Sequence, residues 1–247
     1  MKFCIFLAAT FCIFSFTGCK KDDSGNKPDC RIIKITEPLS NTEVFSYDAK
    51  GRILTVDYGS WATSFRYVGD SIIKEGTWKS VYALNSNGLL AFERREYNNS
   101  GTQWEKRTYE YDGTKLKRST VNKYSGNNIR TYTWSNGNMI TEQIQGADYS
   151  QSTSYEYDTG KPYSPGDYFS WDLLENGVET IRNKNLVKKR TSIYIDNNPG
   201  SSTPGVPETE ISNYNYAFDS NGKIISMTVT DQNNSNPSTY TYEYHCN

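Results

Sequence analysis

From residue 30 onward, apolar and polar side chains alternate one by one through short runs, the period of a strand with one buried face. In Thr108-Tyr109-Glu110-Tyr111 the two tyrosines share one face, and Thr108 and Glu110 share the other. Five segments repeat a longer layout: alternating aromatic residues, a turn residue, a glycine, and an apolar residue shortly after. They are Phe45-Ser-Tyr47-Asp48-Ala-Lys-Gly51-Arg-Ile53, Tyr82-Ala-Leu84-Asn85-Ser-Asn-Gly88-Leu-Leu90, Tyr109-Glu-Tyr111-Asp112-Gly113-Thr-Lys-Leu116, Tyr132-Thr-Trp134-Ser135-Asn-Gly137-Asn-Met139 and Tyr216-Ala-Phe218-Asp219-Ser-Asn-Gly222-Lys-Ile224. Each part has a role in a β-hairpin. Asp, Asn or Ser at the strand end hydrogen-bonds its own backbone two residues on, glycine supplies the positive φ that closes the turn, and the following Ile, Leu or Met returns the chain to the buried face.

Weaker turn signals at Asn99-Ser100-Gly101, Ser125-Gly126-Asn127 and Asp158-Thr159-Gly160 continue the rhythm. A last hairpin is predicted from Lys223–Asp231 and Ser238–Cys246. Two stretches interrupt the rhythm. Residues 161 to 180 carry Pro162, Pro165 and Gly166 before Asp167-Tyr-Phe-Ser-Trp171-Asp-Leu-Leu174, where Asp167 is placed to cap a short helix. Residues 197 to 208 are rich in Gly, Pro and Ser and read as a loop. The predicted fold is all-β, an antiparallel hairpin meander forming a soluble barrel or strongly curled sheet, with one short helical or irregular insertion near 163–175.

Composition adds that the core is aromatic. Only 35% of residues are hydrophobic, and 20 of the 247 are tyrosine. Such side chains pack well on a pleated surface. The net charge of −1 leaves no concentrated basic face for nucleic acid, so no nucleic-acid partner is expected. The densest basic run, Arg182, Lys184, Lys188, Lys189 and Arg190, reads as a solvated strand face.

The first residues supply the address. Met1-Lys2, an apolar run to Phe16 and then Thr17-Gly18-Cys19 have the layout of a secretory signal, and the run is shorter than the roughly 20 residues of a membrane-spanning helix. Phe16-Thr17-Gly18-Cys19 resembles the lipobox of bacterial lipoproteins, with Phe16 in place of the usual Leu. The resemblance implies a signal peptide over 1–18, removal of that segment and acylation of Cys19, hence attachment to the membrane. Residues 19–29 then form a polar tether. An acidic pair, Asp22-Asp23, resembles the surface-export signal of Bacteroides-type lipoproteins, with Lys20 and Lys21 intervening. The expected location is the outer membrane, on its surface or its periplasmic face. Asp70-Ser71-Ile72 is similar to the O-glycosylation signal of such exported proteins, which makes Ser71 the candidate site.

Two cysteines remain in the predicted domain of residues 30–247, Cys30 at its start and Cys246 at its end. Outside the cytoplasm such a pair is expected as a disulfide, the alternative being two free thiols. A bridge requires Cα atoms within about 7 Å, so the first and last strands would be neighbours. Adjacent ends are what a closed barrel provides and an open meander does not.

Candidate chemistry is sparse. The only histidine, His245, adjoins Cys246 on the opposite strand face, so a Cys-His dyad is disfavoured, and one histidine supports neither a Ser-His-Asp set nor a multi-histidine metal site. Asp48, Asp112, Asp158 and Asp219 are accounted for by turns rather than by paired glycosidase acids. Trp61 and Trp134 are in phase with inward aromatic neighbours, whereas Trp104 and Trp171 are candidates for stacking on a ligand. No cofactor and no metal are expected.

The Tyr-x-Tyr-Asp-x-x-Gly-x-Ile units resemble the tyrosine-aspartate hairpin repeats of bacterial wrapping proteins. The lipobox, these hairpins and Asn185-Leu-Val-Lys-Lys189 after a proline-bearing break are together similar to an uncharacterised family of Bacteroides-type lipoproteins with a porin-like fold. That resemblance implies a many-stranded antiparallel barrel or curled sheet and no activity. A membrane-spanning barrel would need an apolar outer band, whereas the strand from Thr102 to Tyr111 puts Gln, Glu, Arg, Lys and Thr on its faces. Three readings stay open. They are a non-catalytic envelope lipoprotein that binds a glycan or an envelope protein, a carrier of a small apolar molecule in the lumen unless Tyr163–Leu174 plugs it, and a hydrolase working through carboxylates buried opposite each other.

Overall fold

The computed structural model describes residues 30–38, 41–124, 126–232 and 236–246. The expected signal segment, the tether and Cys19 lie outside the described residues, as do Ser125 and residues 233–235 of the expected turns. The strands are β1 (Cys30–Thr36), β2 (Thr42–Tyr47), β3 (Ile53–Asp57), β4 (Ala62–Val68), β5 (Ser71–Glu75) and β6 (Ser80–Leu84). They continue with β7 (Leu90–Glu96), β8 (Trp104–Asp112), β9 (Lys115–Lys123), β10 (Gly126–Ser135), β11 (Asn138–Gln145) and β12 (Tyr149–Pro162). After a short helix, α1 (Ser170–Asn176), come β13 (Asn185–Asp196), β14 (Pro207–Phe218), β15 (Ile224–Asp231) and β16 (Ser238–Cys246).

Each strand pairs antiparallel with its neighbours in sequence, and β1 pairs with β16, so the sheet closes into a sixteen-stranded barrel. Cys30 lies opposite Cys246, and the two form a disulfide with Cα atoms 4.0 Å apart. The expected closure is thus present.

All five repeat turns fall at this disulfide end. Asp48 Oδ1 accepts the amides of Lys50 and Arg52, each at 2.9 Å, and Asn85 and Asp219 do the same in their turns. These amides and the neighbouring cation hold the Asp48 and Asp219 carboxyls below their ordinary range. Each repeat then carries a register shift one residue before its second aromatic or Leu position, opposite Ile53, Leu90, Leu116, Met139 and Ile224. A bulge interrupts the ladder and leaves backbone groups without a strand partner. The aromatic residue of the adjoining strand takes up that deficit. Tyr67 Oη donates to Ile53 O at 3.0 Å, Trp134 Nε1 to Leu116 O at 2.7 Å, Tyr244 Oη to Ile224 O at 2.8 Å, and Tyr157 Oη to Met139 O. The abundance of tyrosine is therefore structural: the ring fills the barrel and the hydroxyl completes the neighbouring hairpin.

The interior is layered. Near the disulfide end it is apolar, with Ile32, Ile53, Leu90, Leu116, Met139, Leu186, Val187 and Ile224 all buried. Towards the opposite end it becomes polar, with buried Ser80, Glu93, Glu105, Asn128, Thr153 and Ser192. The acids are matched by cations: Arg95 on Glu93 at 3.1 Å, Arg107 and Lys123 on Glu105 at 2.9 and 3.2 Å, and Arg130 on Glu142 at 3.1 Å. Burial pulls the Glu105 carboxyl upward, but Arg107 and Lys123 together outweigh it and hold the group below its usual value.

The outer wall is polar at many strand positions, with single apolar residues such as Val44, Leu54, Ile129, Ile193 and Ile225 between them. Its strand positions carry Ser64 and Arg66 on β4, Lys106, Thr108 and Glu110 on β8, Thr131 and Thr133 on β10, Ser150, Ser152 and Ser154 on β12, and Thr239, Thr241 and Glu243 on β16. Among the described residues no apolar band encircles it, as a lipid-facing wall requires. No helix among the described residues is long and apolar enough to cross a membrane.

Three local expectations are corrected. Asp158-Thr159-Gly160 does not turn the chain: β12 continues to Pro162, and the glycine sits in an irregularity where Gly160 N donates to Asp158 Oδ1. The turn signal is real, but the chain bulges there and resumes its pairing with β13 at Pro162, opposite Asn185. Asp167 does not cap the helix, whose N-cap is Phe169 without a side-chain bond. Trp61 is not inward. It is 48% exposed beyond the end of β3, where its ring stacks on Tyr58 at 3.8 Å.

Candidate functional site

A closed barrel of sixteen strands is too wide for its wall side chains to fill. Here the connection from β12 to β13, residues 163–184 with α1 at its centre, turns inward and fills it. Asp167 fixes the entry. Its fully buried carboxylate accepts Phe169 N at 3.0 Å, Val187 N at 2.9 Å and Tyr216 Oη at 3.1 Å. Burial pushes this carboxyl up to about 6 despite those donors. Further ties reach most of the way round the wall. Tyr244 Oη shares its one hydrogen between Ile224 O and Pro165 O, the latter at 2.9 Å, while Lys74 Nζ donates to Glu175 O at 2.6 Å, Tyr82 Oη to Asn176 Oδ1 at 3.1 Å, and Met139 N to Asn183 Oδ1 at 2.7 Å. Phe169 packs on Tyr155, and Trp171 meets Tyr240 edge-on at 5.3 Å. Gly177 ends α1 at φ +70°, and a Cβ there would come within 3.0 Å of the Phe65 ring, so only glycine suits both the turn and the close approach.

The plug divides the remaining space. At the disulfide end a cleft of about 770 Å³ lies between residues 173–184 and the wall from β4 to β11. That is within the range of small-molecule sites. Its sides are apolar, formed by Ile72, Leu84, Leu89, Leu173, Val178 and the Trp134 ring, and its rim carries Arg52, Lys115, Arg182 and Lys184. The one acid, Glu179, is already engaged by Arg182 at 2.6 Å and by Tyr163 Oη at 3.0 Å.

At the opposite end a smaller cavity of about 350 Å³ is lined by Glu37, Glu175, Glu210 and Asp231 with Arg190, Tyr168 and Trp171. Nearby Glu43, on β2 and only 8% exposed, feels both Glu37 and Glu175. Burial first, then these two like charges, raise its carboxyl to about 7. Its folded value exceeds the unfolded one, so it stabilises the fold fully below about pH 4.5 and that contribution is lost as pH rises through 7. Glu43→Gln is therefore expected to stabilise the protein at pH 8 by about 1–2 kcal/mol after allowance for solvent screening, and to leave pH 4 stability unchanged. Thermal melts of both forms across this window test it, and a lower pH 8 melting temperature for the variant contradicts it.

The site residues expected from the sequence do not converge. Trp104 lies on the outer wall, with Arg94 5.6 Å from its ring centre. Trp171 is in the plug, facing the acidic cavity. Ser71 begins β5 at the edge of the cleft. The basic run is not a solvated strand face throughout: Arg182 and Lys184 belong to the cleft, and Arg190 points inward to Tyr168 and to Glu210 at 2.7 Å. The buried glutamates and the cleft escape a reading of the sequence because their residues come from many strands. The available signal is the shared inward phase of Glu43 with Phe45 and Tyr47, and of Glu105 with Tyr109 and Tyr111.

No family model and no curated protein matches this chain. Among solved structures, it is similar to a porin-like protein from Bacteroides uniformis, at 15% identity and a TM-score of 0.64 over 87% of this chain and 96% of the other. A porin-like protein from Bacteroides vulgatus is similar at 18% identity, with a TM-score of 0.64 over 87% of this chain and 98% of the other. The porin-like β fold that the family resemblance implied is thus present.

Proposed function

We propose that the protein is a non-catalytic cell-envelope lipoprotein, anchored to the outer membrane through Cys19, that works as a binding module with its ligand site in the cleft at the disulfide end. The observation that carries this reading is the cleft itself. The plug removes the through-channel of a sixteen-stranded barrel and leaves a sizeable recess between plug and wall. Its single acid is paired, so it offers no free carboxylate couple for hydrolysis. The polar outer wall supports attachment by lipid rather than by the barrel, and likeness to Bacteroides porin-like proteins is consistent with an envelope location. A carrier that holds its cargo along the barrel axis needs an open lumen, whereas the plug fills it. A cargo would have to occupy the same cleft. Because β1 starts at the cleft end, a tether over residues 19–29 would hold that end within about 40 Å of the membrane, on either face.

The oxidised domain 30–247 is expected to stay dispersed without detergent. Against a panel of polysaccharides, lipid extracts and envelope proteins, at least one sample is expected to raise its melting temperature, since ligand at a hundred times Kd adds about 2.7 kcal/mol. A requirement for detergent contradicts the extramembrane placement, and silence across the panel contradicts the binding reading.

A further inference from the structure

Taking the cleft to be a binding site, as proposed above, we infer that its ligand is a small anionic amphiphile: an acyl-like apolar body ending in a carboxylate or phosphate. The cleft is lined more by apolar than by polar surface, whereas a sugar site places several free donors and acceptors around its floor. Here the polar atoms of the two aromatic residues in the cleft are already committed, Trp134 Nε1 to Leu116 O and Tyr67 Oη to Ile53 O. The lining also holds the hydroxyls of Ser71, Thr114 and Thr180, and its apolar surface is supplied by Ile72, Leu84, Leu89, Leu173 and Val178. Burying an apolar chain there is favourable at roughly 25 cal/mol per Å², while burying unpaired sugar hydroxyls is not.

The rim selects the sign of the head group. Four cations face one acid, and that acid is neutralised by Arg182. Arg52 is held by Asp48, with its guanidinium 4.0 Å from the Tyr67 ring centre. Lys115 and Lys184 are exposed, and no ion pair engages either among the described residues. The free ammonium groups and the aliphatic side of the cleft thus point to one molecule with two ends.

Titration calorimetry of the oxidised domain with four probes tests this, all below their micellar concentrations. Dodecanoate and dodecyl phosphate are expected to bind, and comparing them distinguishes a fatty acid from a phospholipid-derived head group. Dodecyltrimethylammonium, with the same tail and opposite charge, is expected to bind at least tenfold more weakly, and glucuronate, an acid without a tail, not measurably. In Lys115→Glu/Lys184→Glu the order of the charged tails should reverse, a gain that misfolding would not produce. Equal binding of the two charged tails, or an unchanged order in the double variant, overturns the anion assignment. Binding of glucuronate but not of either acyl anion overturns the amphiphile assignment while leaving the cleft a binding site. If none of the four binds but the wider panel shifts the melting temperature through residues of this cleft, the inference fails and the binding reading stands. Silence in both experiments removes both.

Discussion

Cys30→Ser/Cys246→Ser is expected to lose about 5 kcal/mol of stability relative to the oxidised protein. The bridge spans a sequence separation of 216 residues, and the chain-entropy model assigns a loop of that length about this much. For a domain of this size each kcal/mol shifts the melting temperature by roughly 2–4 °C, so a fall of about 10–20 °C is expected. The cause is more than loop entropy. Cys30 and Cys246 face each other at one end of the seam between the first and last strands, where the barrel closes by long-range pairing alone. Without the bridge, β1 and β16 pair with no directly connecting segment to keep them close. Melting curves with and without reductant measure the effect, and an unchanged transition contradicts it.

Asp167→Ala is expected to cost about 3–5 kcal/mol, because it leaves two amides and a tyrosine hydroxyl buried without their acceptor. Asp167→Asn keeps an acceptor oxygen and nearly the same volume, and is expected to cost markedly less. The comparison separates loss of the acceptor from loss of charge. It also has a pH signature. With the carboxyl raised to about 6 by burial, its protonated form is the one the fold prefers, and stability falls as pH rises from about 4 to 6. The Asn form lacks that slope. Denaturant titrations at pH 4 and pH 7 measure both effects, and equal stability of the Ala form and the parent contradicts the anchoring role.

The hairpins are legible in the sequence because each is a local statement. Asp48, Asn85 and Asp219 announce their turns by residue type, the glycines announce the positive φ, and Ile53, Met139 and Ile224 mark the return to the core. Closure is legible through Cys30 and Cys246, since a covalent pair turns two sequence ends into one place. Asp158 and Asp167 mislead for the same physical reason. Each carries a genuine local signal, an aspartate bonding the amide two residues on, but the surrounding structure uses it differently. At Asp158 the chain bulges over residues 159–161 and then pairs again with β13 at Pro162. At Asp167 the carboxylate is drawn to Val187 and Tyr216, far along the chain. Trp61 follows the alternation of its neighbours only until β4 begins, one residue later. The cleft is not legible at all. Its lining comes from several hairpins and the plug, and Arg182 and Lys184 reveal themselves as rim cations only once the connection from β12 folds back inside.

The plug turns a wide barrel into a closed body and shapes the cleft, so its place in the lumen is the claim on which the rest depends. Hydrogen exchange of the oxidised domain, read peptide by peptide, tests it most directly. Residues 163–184 are expected to be protected to a degree comparable with β12 and β13, because Phe169 N is bonded to the buried Asp167, Pro165 O and Glu175 O accept Tyr244 and Lys74 of the wall, and Asn183 Oδ1 accepts Met139 N of β11. Complete exchange of that segment within seconds, while the strands on either side stay protected, would show that it does not reside in the lumen and would contradict this placement.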